Sequence, residues 1–357
     1  MPSEKVLLTG ASGFIALEIL YQLQELGQYQ VRGTVRDASN EKKCKPVREV
    51  FPNPRYPLEL VEADLSSDKG WEEAVKGVTY ILHTASPFVM RVKHEDDLIV
   101  PAREGTLRVL RAAAKEPSVK RVILTSSCAS IGYGHPDHKN ERIYGPDDWS
   151  VPANVDAYTK SKTLAEKAAW DFVKDNKDHQ FELCTINPAL VVGEFRGSAG
   201  TSLNMMRDIV TGALPFVAPI GIGMVDVKDV GAAHILAMTK GVPGQRYILA
   251  ADSAWFADII AVCRAEFEPL GYTKIPSFQP PFWLVKLASF FVADAKSVVL
   301  TWGEKPMFDH SKTEQDLGLE FRDWKAAVIA AVHCLIRNGE IPATEGYKAK
   351  YPDLVKA

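Results

Sequence analysis

Apolar positions follow two rhythms along the first half of the chain. Short β-branched runs at Lys5–Thr9, Gln30–Val35, Tyr56–Glu62, Thr79–His83, Arg121–Thr125 and Phe181–Ile186 predict strands. Several of these runs are continuously apolar rather than alternating, as a parallel sheet covered on both faces requires. Between them, 3.6-residue spacing predicts helices over Gly13–Leu26, Trp71–Val75, Leu98–Lys115 and Ala157–Asp175. Strand–helix alternation of this kind implies an α/β protein built on a doubly wound parallel sheet.

The rhythm changes after Pro188. Glycine, proline and short helical pieces dominate from Gly193 to Gly223. Helices are then predicted over Asp229–Thr239, Ala257–Phe267 and Trp324–Arg337, without regular strand alternation. This reads as residues 1–188 forming a nucleotide-binding domain and 189–357 mainly a smaller C-terminal substrate lobe, with some segments returning to the first domain. Ligands of open α/β sheets sit at the strands' carboxyl ends, so such a lobe would form the other wall of the crevice. The apolar stretch Phe282–Ala293 is shorter than the roughly 20 residues a bilayer span needs and is interrupted by Lys286. It is therefore expected to be a buried or lobe-interface helix.

Composition narrows the partners. The 357 residues carry a formal net charge of only -3 with no basic block, so neither nucleic acid nor a membrane is expected as a partner. The five cysteines (Cys44, Cys128, Cys184, Cys263, Cys334) are odd in number and widely spaced, without a Cys-x-x-Cys pair. That argues against a disulfide framework or zinc site and for a reducing, cytoplasmic location. The N-terminus shows no signal-peptide pattern. His135-Pro136-Asp137-His138 lacks a further ligand at usual spacing and reads as a polar loop, so no metal is expected.

Chemistry enters at the first strand–helix turn. Thr9-Gly10-Ala11-Ser12-Gly13-Phe14-Ile15-Ala16 has the spacing G-x-x-G-x-x-A between a predicted strand and helix. Gly10 permits the tight turn, Gly13 admits a pyrophosphate to the backbone, and Ala16 lets the helix pack closely on the strand. The exposed N–H groups around Ser12, Phe14 and Ile15, with the helix dipole, would hold the phosphates of a Rossmann-type site. The second strand ends Thr34-Val35-Arg36, with Val35 where an NAD-binding fold puts a ribose-binding acid. Arg36, with Lys42 and Lys43 nearby, suits a 2′-phosphate, so NADP(H) is expected. Asp37 is the complication, since it could serve as a ribose acceptor. Asp64, followed by Leu65, is placed to meet the adenine amino group, and Thr84-Ala85-Ser86 to pass the adenosine ribose. His83, at a strand end, reads as a packing residue rather than a base.

Tyr158 and Lys162 are four apart on a predicted helix and so share a face. An alkoxide formed at a reduced carbonyl must be protonated, and a free phenol with a pKa near 10 is a reluctant donor. A neighbouring ammonium and the positive charge of a nicotinamide would together draw that pKa down towards the working range. Lys160 faces elsewhere. Thr125-Ser126-Ser127 ends the fifth predicted strand, and a hydroxyl there can polarise a substrate carbonyl, with Ser127 preferred over Ser126. Cys128 reads as a buried thiol rather than a nucleophile.

These motifs together resemble the extended short-chain dehydrogenase/reductases, and among them the dihydroflavonol reductase-like branch with its fungal methylglyoxal/aldehyde reductases and ketoreductases. The resemblance runs along most of the chain. It takes in Thr9–Ala16, Val31–Asp37, His83–Pro87, Leu124–Ser127, Tyr158–Lys162 with Ala165-Glu166-Lys167, Ile186-Asn187-Pro188, and Phe308–Lys312 followed by Leu317-Gly318. It implies a catalytic triad of Ser127, Tyr158 and Lys162, a 2′-phosphate held by Arg36 and Lys43, and Pro188 along the nicotinamide. Flavonoid reductases have Asn where this chain has Gly132. Cinnamoyl-CoA reductases carry Asn-Trp-Tyr-Cys-Tyr where it reads Asn154-Val155-Asp156-Ala157-Tyr158. A general NADPH-dependent aldehyde or ketone reductase, monomeric or homodimeric, is therefore expected. The alternatives are an NAD-dependent nucleotide-sugar epimerase or 3β-hydroxysteroid-type dehydrogenase, which would favour an acid near Val35, and a catalytically silent NADPH-sensing protein. Phe88, Val89, Gly132 and Tyr133, with the Phe195–Met206 loop and the Leu214–Met224 stretch, would line the substrate pocket. Their apolar character suggests a hydrophobic carbonyl substituent.

Overall fold

The computed structural model describes residues 4–87, 92, 94–135, 142–176, 179–197, 199–291 and 293–353. Its first half alternates as the hydrophobic pattern predicts: β1 (Lys5–Thr9), α1 (Phe14–Leu26), β2 (Gln30–Val35), α2 (Glu41–Arg48), β3 (Glu59–Glu62), α3 (Trp71–Val75), β4 (Tyr80–His83), α4 (Asp96–Lys115) and β5 (Arg121–Thr125). A short β6 (Ile143–Tyr144) precedes α5 (Ala157–Asp175) and β7 (Glu182–Pro188). The second half adds β8 (Leu190–Val192), α6 (Thr201–Thr211), β9 (Gly221–Asp226), α7 (Val227–Lys240), β10 (Arg246–Leu249), β11 (Asp252–Trp255) and α8 (Phe256–Phe267). It closes with α9 (Phe282–Ala288), α10 (Ala293–Leu300), β12 (Met307–Phe308), α11 (Trp324–Arg337) and α12 (Glu345–Lys350).

Seven strands form one sheet in the order β3-β2-β1-β4-β5-β7-β10, with every neighbouring pair parallel. This is a Rossmann-like doubly wound sheet. The chain reverses direction across the sheet between β1 and β4, which puts a crevice at their carboxyl ends. One face is covered by α1 and α7, whose Leu17, Leu20, Val230 and Ala237 pack on β1 and β7. On the other, α3 and α4 pack Trp71, Val109 and Leu110 against Ile81, Val122 and Leu183. Two-sided cover explains the continuous apolar runs, since β4 and β10 are buried at every position. The edge strand β3 has exposed ends.

Some boundaries differ from the sequence expectation. β3 starts at Glu59 rather than Tyr56, because Pro57 has no N–H to give the ladder. β10 has no counterpart in the expected strands. Only four residues long, its Arg246-Tyr247-Ile248-Leu249 run has no periodicity to set it apart, yet it pairs with β7 from Arg246↔Thr185 to Leu249↔Pro188. The basic segment after Asn40 is the helix α2, with the Asn40 side chain accepting from Lys43 N at 3.3 Å.

A second core gathers α6, α8, α11 and the three-stranded sheet β11-β9-β8. Phe14, at the start of α1, touches both cores. The expected burial of Phe282–Ala293 fails. Trp283, Phe290 and Phe291 are 66%, 75% and 85% exposed, and within α9 only Val285 is buried. The segment is apolar nearly all round, and a short two-helix unit can cover only one stripe of it. No helix among the described residues is long and apolar enough to cross a membrane.

Candidate active site

The sheet register aligns the strand ends on one rim. Thr9 lies opposite His83, His83 opposite Leu124, and Thr125 opposite Ile186. The segments that follow, Gly10–Gly13, Thr84–Ser86, Ser126–Ser127 and Pro188, therefore surround one crevice. The glycine turn is held rigidly. Gly10 N donates to Thr34 Oγ1 at 2.9 Å and Ala11 N to Thr34 O at 2.9 Å. Gly10 has φ +64°, and a Cβ there would stand 3.1 Å from the Ala85 backbone, so glycine is required on both counts. Gly13 begins α1 with no side-chain cap, and no acid lies in the first turn. The first amides of α1, with the positive end of its dipole, are thus open to an anion. Ser12 and Ile15 are half-buried beside this end. The Phe14 ring is turned away to Gly200, where an added Cβ would lie 2.7 Å from it.

The end of β2 fits a 2′-phosphate better than a bare ribose. Val35 is buried, whereas Arg36 and Lys43 are exposed. Asp37 binds its own loop, accepting from Ser39 N at 2.9 Å and Ser39 Oγ at 2.6 Å, which holds its carboxyl below the usual range. Asp64 accepts in the same way from Ser66 N and Oγ, both at 2.7 Å. Those bonds, then the charges of Arg36 and Arg108, depress its pKa, so Arg36 and Asp64 face a common space. Leu65 packs on Gly105 of α4.

Ser127 and Tyr158 come together at the centre of the rim. Ser127 caps a single 3-10 turn, its Oγ accepting from Ala129 N at 3.1 Å and lying 3.4 Å from Pro188 O. Tyr158 sits in the first turn of α5, which Asp156 caps by accepting from Thr159 N at 2.7 Å. Burial pushes the Tyr158 phenol up, and its hydrogen bond with Ser127 only partly offsets this. Lys162 is directed to Ser86, with Nζ 3.3 Å from Oγ. Lys162 is itself pushed down to about 8 by burial, against the opposing charge of Glu166. Lys160 points outward and pairs with Glu95 at 2.7 Å.

His83 is buried against Thr9, Nδ1 to Oγ1 at 2.8 Å, and is pushed down to about 3 by burial and then Lys162, so it is neutral and no base at neutral pH. Cys128 is buried with Sγ 3.1 Å from Asn187 O, and its thiol is pushed far up.

Phe88 and Val89 lie outside the described residues, as do Pro136–His138. Phe195, Leu203, Met206, Val217 and Met224 are buried in the second core, while Gly221, from the Leu214–Met224 stretch, borders a cavity. Gly132 and Tyr133 do border a small cavity of about 20 Å³, with Arg142, Tyr144, Glu304 and Lys305. Its walls are aromatic and charged rather than aliphatic. Ser127 and Tyr158 are not in that wall, although its Tyr133 lies near Tyr158. At Gly132 a Cβ would meet the Tyr144 and Phe308 rings at 2.8 and 2.9 Å.

Sequence reasoning missed the polar cluster beneath the rim. Glu166, on α5 one turn beyond Lys162, is fully buried against Arg246 of β10, Nε to Oε1 at 2.5 Å. A carboxylate on the Lys162 face of α5 was a legible signal. Arg246, in an unpredicted strand 80 residues on, was not.

Residues 6–250 match the NAD dependent epimerase/dehydratase family. Over 339 residues the chain is 34% identical to a cinnamoyl-CoA reductase of Medicago truncatula, covering 92% of this chain and 95% of that protein. It is also 34% identical to a putative NADPH-dependent methylglyoxal reductase of Candida albicans, covering 94% and 99%. Among solved structures it resembles a yeast methylglyoxal/isovaleraldehyde reductase complexed with NADPH, with TM-score 0.74, 27% identity and coverage of 94% and 100%.

Proposed function

The chain belongs to the NAD dependent epimerase/dehydratase family, and on that premise we propose that it is an NADPH-dependent reductase of aldehydes or ketones. The observation that carries the reading is the meeting of Ser127 and Tyr158, with Lys162 one turn away, on the same rim as an uncapped glycine turn. The relatives named as a putative NADPH-dependent methylglyoxal reductase and as a cinnamoyl-CoA reductase support it.

Gly10, Ser12, Gly13, Phe14 and Ile15 would hold the pyrophosphate through backbone amides. Arg36 and Lys43 would take the 2′-phosphate, Asp64 and Leu65 the adenine, and Thr84, Ala85 and Ser86 the adenosine ribose. Pro188 would border the nicotinamide. When bound, NADPH supplies the hydride. The residues of this chain supply orientation and the proton. Ser127 Oγ donates to the substrate carbonyl and polarises it. The raised pKa of Tyr158 keeps its phenol protonated at neutral pH, so it can release a proton to the nascent alkoxide oxygen. Lys162, charged below about pH 8, then stabilises the phenolate left behind.

The test is oxidation of NADPH, with NADH in parallel, on methylglyoxal, a branched aldehyde, a β-keto ester, an aryl ketone and a dihydroflavonol. Turnover of at least one carbonyl, with a preference for NADPH, is expected. Protein that purifies with bound NAD and ignores NADPH would point to epimerase chemistry. Binding of NADPH without turnover of any carbonyl would point to a sensor.

A further inference from the structure

Ser127 stands on the turn after β5, while Tyr158 and Lys162 stand on α5. No backbone ladder joins that turn to that helix. Besides the hydrogen bond between Ser127 and Tyr158, what joins them is Glu166. Its Oε2 accepts from Ser126 Oγ and Ser130 Oγ, both at 2.5 Å, and from Asn187 Nδ2 at 2.8 Å. Ser130 Oγ and Asn187 Nδ2 also lie 2.7 and 3.3 Å from Ser127 O. Asn187, with two N–H groups, can thus hold Glu166 and the Ser127 carbonyl together, while the single Ser130 hydroxyl proton is shared between those two acceptors. The other Glu166 oxygen, Oε1, takes Arg246 Nε at 2.5 Å and Trp170 Nε1 at 3.1 Å. Arg246 in turn donates to Pro146 O at 2.7 Å and Asp148 O at 2.5 Å, and stacks on Trp149 with its guanidinium carbon 3.8 Å from the ring centre. The side chains of Glu166 and Arg246 are 0% and 7% exposed.

Four elements are tied at one point: the β5 turn, α5, the end of β7, and β10. Fold stability alone does not call for such a cluster, because an apolar set of similar volume often serves as well as a buried ion pair. We infer that Glu166, held by Arg246, is a positioning residue that fixes Ser127 relative to Tyr158 and Lys162 for proton transfer. The inference rests on the reductase reading above.

The charges around Lys162 bear on the test. Facing it are Tyr158 and Glu166 from its own helix and His83 and Ser86 from β4 and its following turn, with Arg246 behind Glu166. His83 is neutral throughout the working range, so Glu166 is the carboxylate that supports the Lys162 charge. Burial lowers Lys162 and Glu166 raises it, so removing the carboxylate moves its ionisation to lower pH.

The experiment uses the full chain with Glu166→Gln and with the double change Glu166→Leu/Arg246→Leu. The single variant leaves Arg246 without its carboxylate in the interior and can fail to fold, whereas the double removes both partners of the buried pair. Each is measured for melting temperature, NADPH binding by fluorescence, kcat, KM and the pH profile of kcat/KM. The folded double variant is expected to bind NADPH within about threefold of wild type and to lose at least tenfold in kcat, following the sensitivity of proton transfer to small displacements. Where Glu166→Gln folds, the alkaline limb of its profile moves to lower pH. A folded double variant with kcat within twofold of wild type overturns the inference. So does an unmoved limb in a folded Glu166→Gln. Failure of the reductase reading looks different: wild type itself reduces no carbonyl, and both ideas fall together.

Discussion

Replacing Arg36 by alanine puts the proposed cofactor preference to a direct test. Arg36 is exposed at the end of β2, close enough to Asp64 to depress its carboxyl, and Lys43 lies in the first turn of α2 as a second cation. A hydrogen bond to a charged group contributes about 1.5–3 kcal/mol, while an exposed ion pair contributes only about 0.2–1 kcal/mol. A guanidinium on a solvated phosphate falls between these limits, at roughly 1–2 kcal/mol. With about 1.4 kcal/mol per factor of ten, the KM for NADPH should rise roughly 5- to 30-fold. The KM for NADH should stay within about twofold, because no 2′-phosphate is lost. The assay is initial-rate kinetics with both cofactors on one carbonyl substrate, repeated across a potassium chloride series. Screening acts over about 10 Å at 0.1 M salt, so the NADPH KM of wild type should climb more steeply with salt than that of the variant. A folded variant whose NADPH-to-NADH KM ratio matches wild type would refute the assignment of Arg36.

Other outcomes follow from the same geometry. Tyr158→Phe should keep the melting temperature within a few degrees and lower kcat by roughly 10²–10⁴, the range of a lost general acid; full turnover would remove Tyr158 from the chemistry. The kcat/KM for reduction should fall as pH rises through about 8, where Lys162 loses its charge; a flat profile from 7 to 9 contradicts this. Lys162 has its folded pKa below its ordinary 10.5, so the buried ammonium costs stability most fully below about pH 8, and that cost fades as pH rises towards 10.5. Lys162→Met should therefore raise stability on the order of 1–3 kcal/mol at pH 7 while abolishing activity, read by denaturant titration at pH 7 and 10. Gly33→Ala places a Cβ 2.7 Å from Ala11 Cβ under the glycine turn. It should cost about 1–3 kcal/mol of stability and raise the KM for NADPH and NADH together, unlike Arg36→Ala; an unchanged melting temperature and unchanged KM values would show that the turn has room to spare.

The sheet and the glycine turn were legible because their signals are local. β1, β2 and β5 begin and end where the apolar runs do. A run buried on both faces is mostly apolar, and a turn with φ +64° at Gly10 leaves room for little else. The Tyr158–Lys162 spacing was equally readable, since a helix face repeats within one turn. Tertiary structure alone decided where β10 lies and that its Arg246 meets Glu166, because four residues carry no period and the pairing spans 80 positions. It also decided the sign at Tyr158. Spacing shows which charges are near, but only burial shows what desolvation does to them. The segment around Trp283 and Phe290 makes the same point from the other side. Apolar sequence records a preference for cover, and whether the folded chain supplies it depends on neighbours far away in sequence.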